Sequence, residues 1–336
     1  MTAHRPLRSA VAGLLAISGL VAACSGGTTS TSSGAPASST GSSGGAAASA
    51  APSGDPTKDK LAQVESRGTL VAFVDPDYAP QSMTVKGAVR AASTKCAPNQ
   101  MTGPEVDGYD VVTTKLVAEE LGVEPCFVAI PFDEVIAGGW GDRIDVAWGS
   151  GALTESRMKA LYMTQPYYTT PANFFVKKAS SYQKPADLSG KQIGACSGCT
   201  HEQYLKQTLA LPGETIDFAV NNPKIVTYAH EPPGLQDVAK GKIDAFLCSQ
   251  PVGVGAINDG EDLRMLDAPA FTTFKTGYID KSLSLTAGPF VDAIDKAIDD
   301  LIANGKLKAA STKFFGTDFA TAAGTFDLKT INQTVQ

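Results

Sequence analysis

The chain has 336 residues, 43% hydrophobic and 18% charged, with 28 Lys and Arg against 34 Asp and Glu for a formal net charge of −6. That length suits two domains or one two-lobed unit, and that apolar content can fill a core. The acidic balance, with no basic run interleaved with aromatics, argues against nucleic acid as a partner.

Arg5 and Arg8 precede an apolar run over 11–21, so residues 1–23 read as a signal peptide: a positive start and a stretch too short to span a membrane. Leu20-Val21-Ala22-Ala23-Cys24 has the form of a bacterial lipobox, which implies cleavage before Cys24 and a lipid on its thiol. Residues 24–56 are almost wholly Ser, Gly, Thr, Ala and Pro and cannot bury enough apolar surface to fold. They read as a tether, placing the rest outside the cytoplasm on a lipid anchor. No other apolar run approaches membrane-spanning length.

A short helix is expected near 61–65. T-L-V-A-F-V over 69–74 is a continuous apolar strand of the kind buried on both faces. Residues 108–121 carry Leu116, Val117 and Leu121 on one helical face, with Gly122 as the stop. A strand over 126–130, a weak helix opened by Pro131-Phe132 and a strand over 144–148 complete a parallel α/β pattern. Gly149, Ser150 and Gly151 then let a backbone approach something closely, and Arg157 follows in a short polar segment: an anion site in outline.

Further strands are expected over 191–195, 224–228, 241–247 and 282–286, with helices after 200 and over 235–240. Phe290, Ala293, Ile294, Ala297, Ile298, Leu301 and Ile302 keep a helical period between Pro289 and Gly305.

Cys24 aside, Cys96 and Cys126 lie in the first part of the chain and Cys196, Cys199 and Cys248 in the second. One bridge in each part and one free thiol are expected in an exported protein. Cys196-Ser197-Gly198-Cys199 has the spacing of a redox motif but lacks its W-C-x-x-C setting. No histidine has metal-ligand spacing to these cysteines, and neither metal nor cofactor is expected.

Several phrases resemble the amino-acid-type (family 3) extracellular solute-binding proteins of ABC importers. Arg67, Gly68, Leu70, Asp75, Tyr78 and Pro80 match the family's opening phrase R-G-x-L-x-V-G-x-D-x-x-Y-x-P-F, with Gln81 in place of an aromatic. Residues 83–107 form an insertion. Asp145, Val146, Thr154 and Arg157, then Pro166, Tyr167 and Tyr168, match D-V-I-I-S-G-M-T-I-T-P-E-R and D-F-S-x-P-Y-Y. Gly241 to Leu247 matches N-G-x-V-D-A-V-V.

The resemblance spans Arg67 to Gly316. It implies a type 2 periplasmic-binding-protein fold, α/β, with two lobes, two crossovers and a ligand cleft. The expected division is lobe 1 over 57–178, lobe 2 over 179–270, a return to lobe 1 over 271–316 and a loose tail over 317–336. The implied function is capture of a small carboxylate-bearing solute, an amino acid or related compound, for delivery to an ABC transporter permease by a monomer. A sensing lipoprotein for a signalling receptor and a cyclohexadienyl-dehydratase-like enzyme are the alternatives; no catalytic constellation marks the cleft phrases.

Carried over by position, Tyr78 and Phe132 flank the ligand, Ser150 and Gly151 offer backbone groups to its carboxylate, and Arg157 pairs with it. Cys199 and Thr200 open a helix suited to the same carboxylate. Ala152 stands where a threonine is usual, and Ser249 where an aspartate for the α-ammonium is expected. Asp75 remains as an acidic contact or a structural one, so the solute's amine should be absent, substituted or placed to reach Asp75; the alternative is an ordinary amino acid in a slightly shifted pose. The expected disulfides are Cys96–Cys126, the pair in the first part of the chain, and Cys196–Cys248, which adjacency of two strands in the family's second lobe implies.

Overall fold

The computed structural model describes residues 54–336. The expected signal peptide, the lipid site at Cys24 and most of the expected tether lie outside the described residues. No helix among the described residues is long and apolar enough to cross a membrane.

Asp59 caps the first helix, Lys60–Arg67, by accepting from the Ala62 N–H, and Gly68 ends it at φ 71°. The strand Thr69–Phe73 follows and is buried along its whole length. It is central to a six-stranded sheet, pairing in parallel with Glu124–Val128 on one side and Val146–Ala147 on the other. Tyr278–Asp280 and Leu161–Met163 extend that sheet antiparallel. Helices Tyr109–Glu120, Gly288–Ala303 and Lys306–Phe315 bury Tyr109, Val117, Phe290, Ile294 and Leu307 in one apolar cluster of this lobe.

A second sheet carries Lys224–Tyr228, Gln192–Cys196, Ala245–Ser249, Tyr168–Lys177 and Leu263–Met265 in that order. Helices Glu231–Ala239 and Gln250–Asn258 cover one face of it, where Phe175, Leu235, Phe246 and Val252 pack together. The chain enters this lobe along Tyr168–Lys177 and leaves along Phe271–Lys275. Those two strands pair antiparallel, Tyr168 against Lys275, so the crossovers form one two-stranded hinge.

Three expectations need correction. The strand expected over 282–286 is a loop; the pairing strand is Tyr278–Asp280, whose Asp280 carboxylate accepts from the Ser282 N–H and turns the chain. The segment 317–336 is not a loose tail. It forms short 3-10 turns at Thr321–Thr325 and Leu328–Ile331 and buries Ala323 and Ile331. The Gln333 amide exchanges hydrogen bonds with the Met163 backbone at 2.7 and 2.8 Å.

The third correction concerns sulfur. Cys96 and Cys126 are bridged, with Cα atoms 5.5 Å apart. Cys196 is bridged to Cys199 rather than Cys248, which is a free, buried thiol. The ladder between their strands stops at Gly194 and Phe246. Beyond it Cys196, still paired with Tyr228 on its other side, meets Cys199 across the turn that follows its strand, while Cys248 stays packed among the residues under the helices.

Candidate functional site

Between the lobes lies a cavity with about 560 Å³ of empty volume, lined from both lobes and by Lys275 of the outgoing crossover. Of the residues singled out from sequence, Asp75, Tyr78, Phe132, Ser150, Ala152, Arg157, Cys199 and Thr200 line it; Gly151 and Ser249 do not.

Arg157 opens the 3-10 turn Arg157–Lys159, its N–H directed at the Thr154 hydroxyl at 3.3 Å. The guanidinium is 4% exposed and lies 5.3 Å from the centre of the Phe132 ring. Nη1 donates to the Tyr278 hydroxyl at 2.9 Å and to the Ala152 carbonyl at 3.2 Å. Nη2 reaches across the cleft to the Gly198 carbonyl at 3.4 Å. Nε is buried with no hydrogen-bond partner. A buried cation held only by neutral oxygens, with one donor unused, is poised for an anion.

The backbone clamp expected beside it takes a different form. Ser150 sits at φ 56°, and its N–H is already bonded to the Tyr167 hydroxyl at 3.0 Å. Its own hydroxyl donates to Asp110 Oδ2 at 2.6 Å and accepts from Tyr168. Tyr167 donates to the other Asp110 oxygen at 2.8 Å. Ser150 is therefore tied into a buried polar network under the cavity. Gly151 answers a packing need: a Cβ there would stand 2.3 Å from the Tyr278 ring. The helix start is equally changed. Thr200–Leu205 has six residues, and the Gly198 N–H before it is taken by Glu202 at 2.8 Å.

Ser249 lies behind the cavity wall, 3.0 Å from the Tyr78 hydroxyl, a bond that joins the lobes. Asp75 faces the cavity with His230 Nδ1 3.9 Å away. Burial raises the Asp75 carboxyl above its ordinary range, while the Asp77 N–H and His230 pull it back.

Sequence reasoning missed His201, His230, Glu231 and Lys275, which also line the cavity. His201 Nδ1 is 3.5 and 3.4 Å from the sulfurs of Cys196 and Cys199 and 3.5 Å from Glu231 Oε1. Burial holds the imidazole well below its usual value and pushes the Glu231 carboxyl up to about 8, so both are neutral near pH 7. Cys196, Cys199 and His201 offer atoms within 4.8 Å of one another, but the disulfide removes the thiolates a metal would need. One signal for Glu231 was available: it follows the C-terminal end of a parallel strand, where α/β sheets bind ligands. Lys275 and Tyr278 carried no local signal.

The model of the bacterial extracellular solute-binding proteins, family 3, matches residues 70–317. The chain belongs to that family. Among curated relatives of this solute-binding protein, the L-cystine-binding protein TcyJ of Escherichia coli is 26% identical over 262 residues, 77% of this chain and 86% of TcyJ. The L-arginine-binding protein of Pseudomonas aeruginosa is 28% identical over 250 residues, covering 71% and 89%. These relatives are binding proteins, not enzymes. Among solved structures, AbpA of Streptococcus pneumoniae bound to L-arginine superposes with a TM-score of 0.61 at 25% identity, over 76% of this chain and 98% of AbpA. The ancestral amino acid-binding protein AncCDT-1, a precursor of cyclohexadienyl dehydratase, gives a TM-score of 0.62 at 22% identity over 76% and 100%. The two-lobed fold is thus that of type 2 periplasmic binding proteins.

Proposed function

We propose that this chain captures a small carboxylate-bearing solute, an amino acid or related compound, outside the cytoplasm and delivers it to an ABC importer, tethered to the membrane by a lipid on Cys24. The observation that carries the reading is Arg157: a buried guanidinium in the cleft with an unused Nε donor and no acidic partner among the described residues. A carboxylate against it would replace bonds to neutral oxygens by charge-assisted ones, each contributing about 1.5–3 kcal/mol. The relatives named for L-cystine and L-arginine support an amino-acid-like solute.

Calorimetry over the proteinogenic amino acids and a set of deaminated and N-substituted acids tests it. At least one acid should bind, its carboxamide should bind at least about tenfold more weakly, and Arg157→Met should abolish binding. Equal affinity for an acid and the amide of its carboxylate would overturn the reading. Fatty-acid labelling that marks Cys24→Ala as strongly as the wild type would remove the anchor.

A further inference from the structure

A second cation faces the same cavity. Lys275 ends the outgoing crossover strand, is 4% exposed, and lines the cavity with Arg157. Among the described residues, no hydrogen bond or ion pair holds its ammonium. Lys60 shows how this chain treats a buried lysine that serves the fold: it is 0% exposed, with Asp145 at 2.7 Å and the Gln63 amide oxygen at 2.8 Å. An ammonium largely withdrawn from water without a protein partner, open only towards the cavity, is unfavourable, and a like charge nearby adds to that cost.

The acids around it supply only part of the missing charge. Asp110 does not line the cavity; it accepts from Ser150 and Tyr167, and burial lifts its carboxyl to about 7, so it is about half charged at neutral pH. Glu231, with Oε2 unpartnered, is lifted to about 8 and keeps its proton at neutral pH. Burial and Arg157 lower Lys275 to about 8, which still leaves it mostly charged at pH 7. The charged groups left facing the cavity are therefore two cations and, near Tyr78, Asp75.

We propose that the solute is a small dicarboxylate, one carboxylate meeting Arg157 and the other Lys275. This rests on Arg157 being a carboxylate site, as proposed above. An acidic amino acid matches the cleft group for group, its ammonium turned towards Asp75; a dicarboxylate lacking the amine shares the two anionic contacts. A basic side chain would meet cations and be rejected by repulsion as well as by lack of a partner.

The test is calorimetry on wild type, Lys275→Met and Arg157→Met with L-glutamate, L-aspartate, 2-oxoglutarate, L-cystine, L-glutamine, L-asparagine and L-arginine. For wild type, a dicarboxylate should bind at least about tenfold more tightly than its amide or L-arginine, from the strength of one charge-assisted bond. Lys275→Met should weaken the dicarboxylate by about 10- to 100-fold and change the amide little, erasing the preference. Comparison of L-glutamate with 2-oxoglutarate tells whether the amine is read. The wild-type ratios decide even if Lys275→Met does not fold. Failure of every dicarboxylate to bind, or an amide or L-arginine binding as tightly, overturns the inference. If Arg157→Met abolishes binding while the amide is preferred, only the role of Lys275 falls. If Arg157→Met binds every acid as wild type does, the carboxylate reading falls with it.

Discussion

Two buried clusters of charge in the first lobe were handled differently. Asp145, at the start of the strand that leads to the cleft, is fully enclosed and has Lys60 at 2.7 Å, the Arg67 guanidinium and the Val71 N–H at 2.7 Å as partners. Twelve residues later, Arg157 is also buried and meets only neutral oxygens. The first cluster is closed on itself, so it serves the fold. The second is left open on one side, and the missing charge must come from outside the chain. Burial and residue type are shared; only the tally of partners separates a structural ion from a binding one.

The largest way to break this contrast is Asp145→Ala. It strands Lys60 and the Val71 N–H in the interior, and removing one partner of a buried pair costs about 3–5 kcal/mol. The urea midpoint should fall accordingly. A loss below about 1 kcal/mol, the size of an exposed pair, would mean the cluster is not structural.

Arg157→Met should move stability the other way. Without ligand, replacing an unpaired buried charge by an apolar side chain should leave the midpoint unchanged or raise it by about 1 kcal/mol. The stabilisation that wild type gains from saturating ligand, RT ln(1 + [L]/Kd), should vanish. A ligand-free variant more than about 2 kcal/mol less stable would place Arg157 with Asp145, as an ion the fold needs.

The smallest effect sharpens the contrast through pH. The folded Glu231 carboxyl holds its proton to about 8, against an ordinary value of 4.5. Its contribution to stability is thus fully present below about 4.5 and is lost as pH rises through about 8. Asp110 and Asp295, each lifted by burial to about 7, act with the same sign. Lys275 and His201 face Glu231. Lys275, lowered to about 8, destabilises the fold as pH falls towards that value and adds little slope below it. His201, depressed from 6.5, destabilises as pH falls below 6.5. The melting temperature should therefore decline between pH 6.5 and 8, and Glu231→Gln should flatten the decline. An unchanged slope would show that the carboxyl is already charged in the fold.

The fold was legible because its signals are local or ordered along the chain: the apolar strand at 69–74, Gly122 and Gly305 as stops, the period of the 288–303 helix. Arg157 was legible because glycines and a strand end mark its surroundings. Lys275 was not. F-T-T-F-K puts its two phenylalanines on opposite faces of a strand, so the sequence marks no inward side; in the fold Lys275 shares the buried face with Phe271 and Thr273. The Cys196–Cys248 pairing failed for a related reason: adjacency of strands does not say where their ladder ends. The 317–336 segment reads as loose because its apolar residues are scattered. In space Phe326 packs tilted against Phe274 with ring centres 4.7 Å apart, a contact no window of sequence contains.

Lys275 pairs backbone to backbone with Tyr168, where the two crossovers meet. In any opening motion that pivots on those crossovers, a point near the pivot travels least. Arg157 would recede from Gly198 with its lobe, yet Lys275 would hold its position whether the jaws are wide or shut. A solute could then moor at the fulcrum before either jaw reached it, and the order of arrival would be written into the lever.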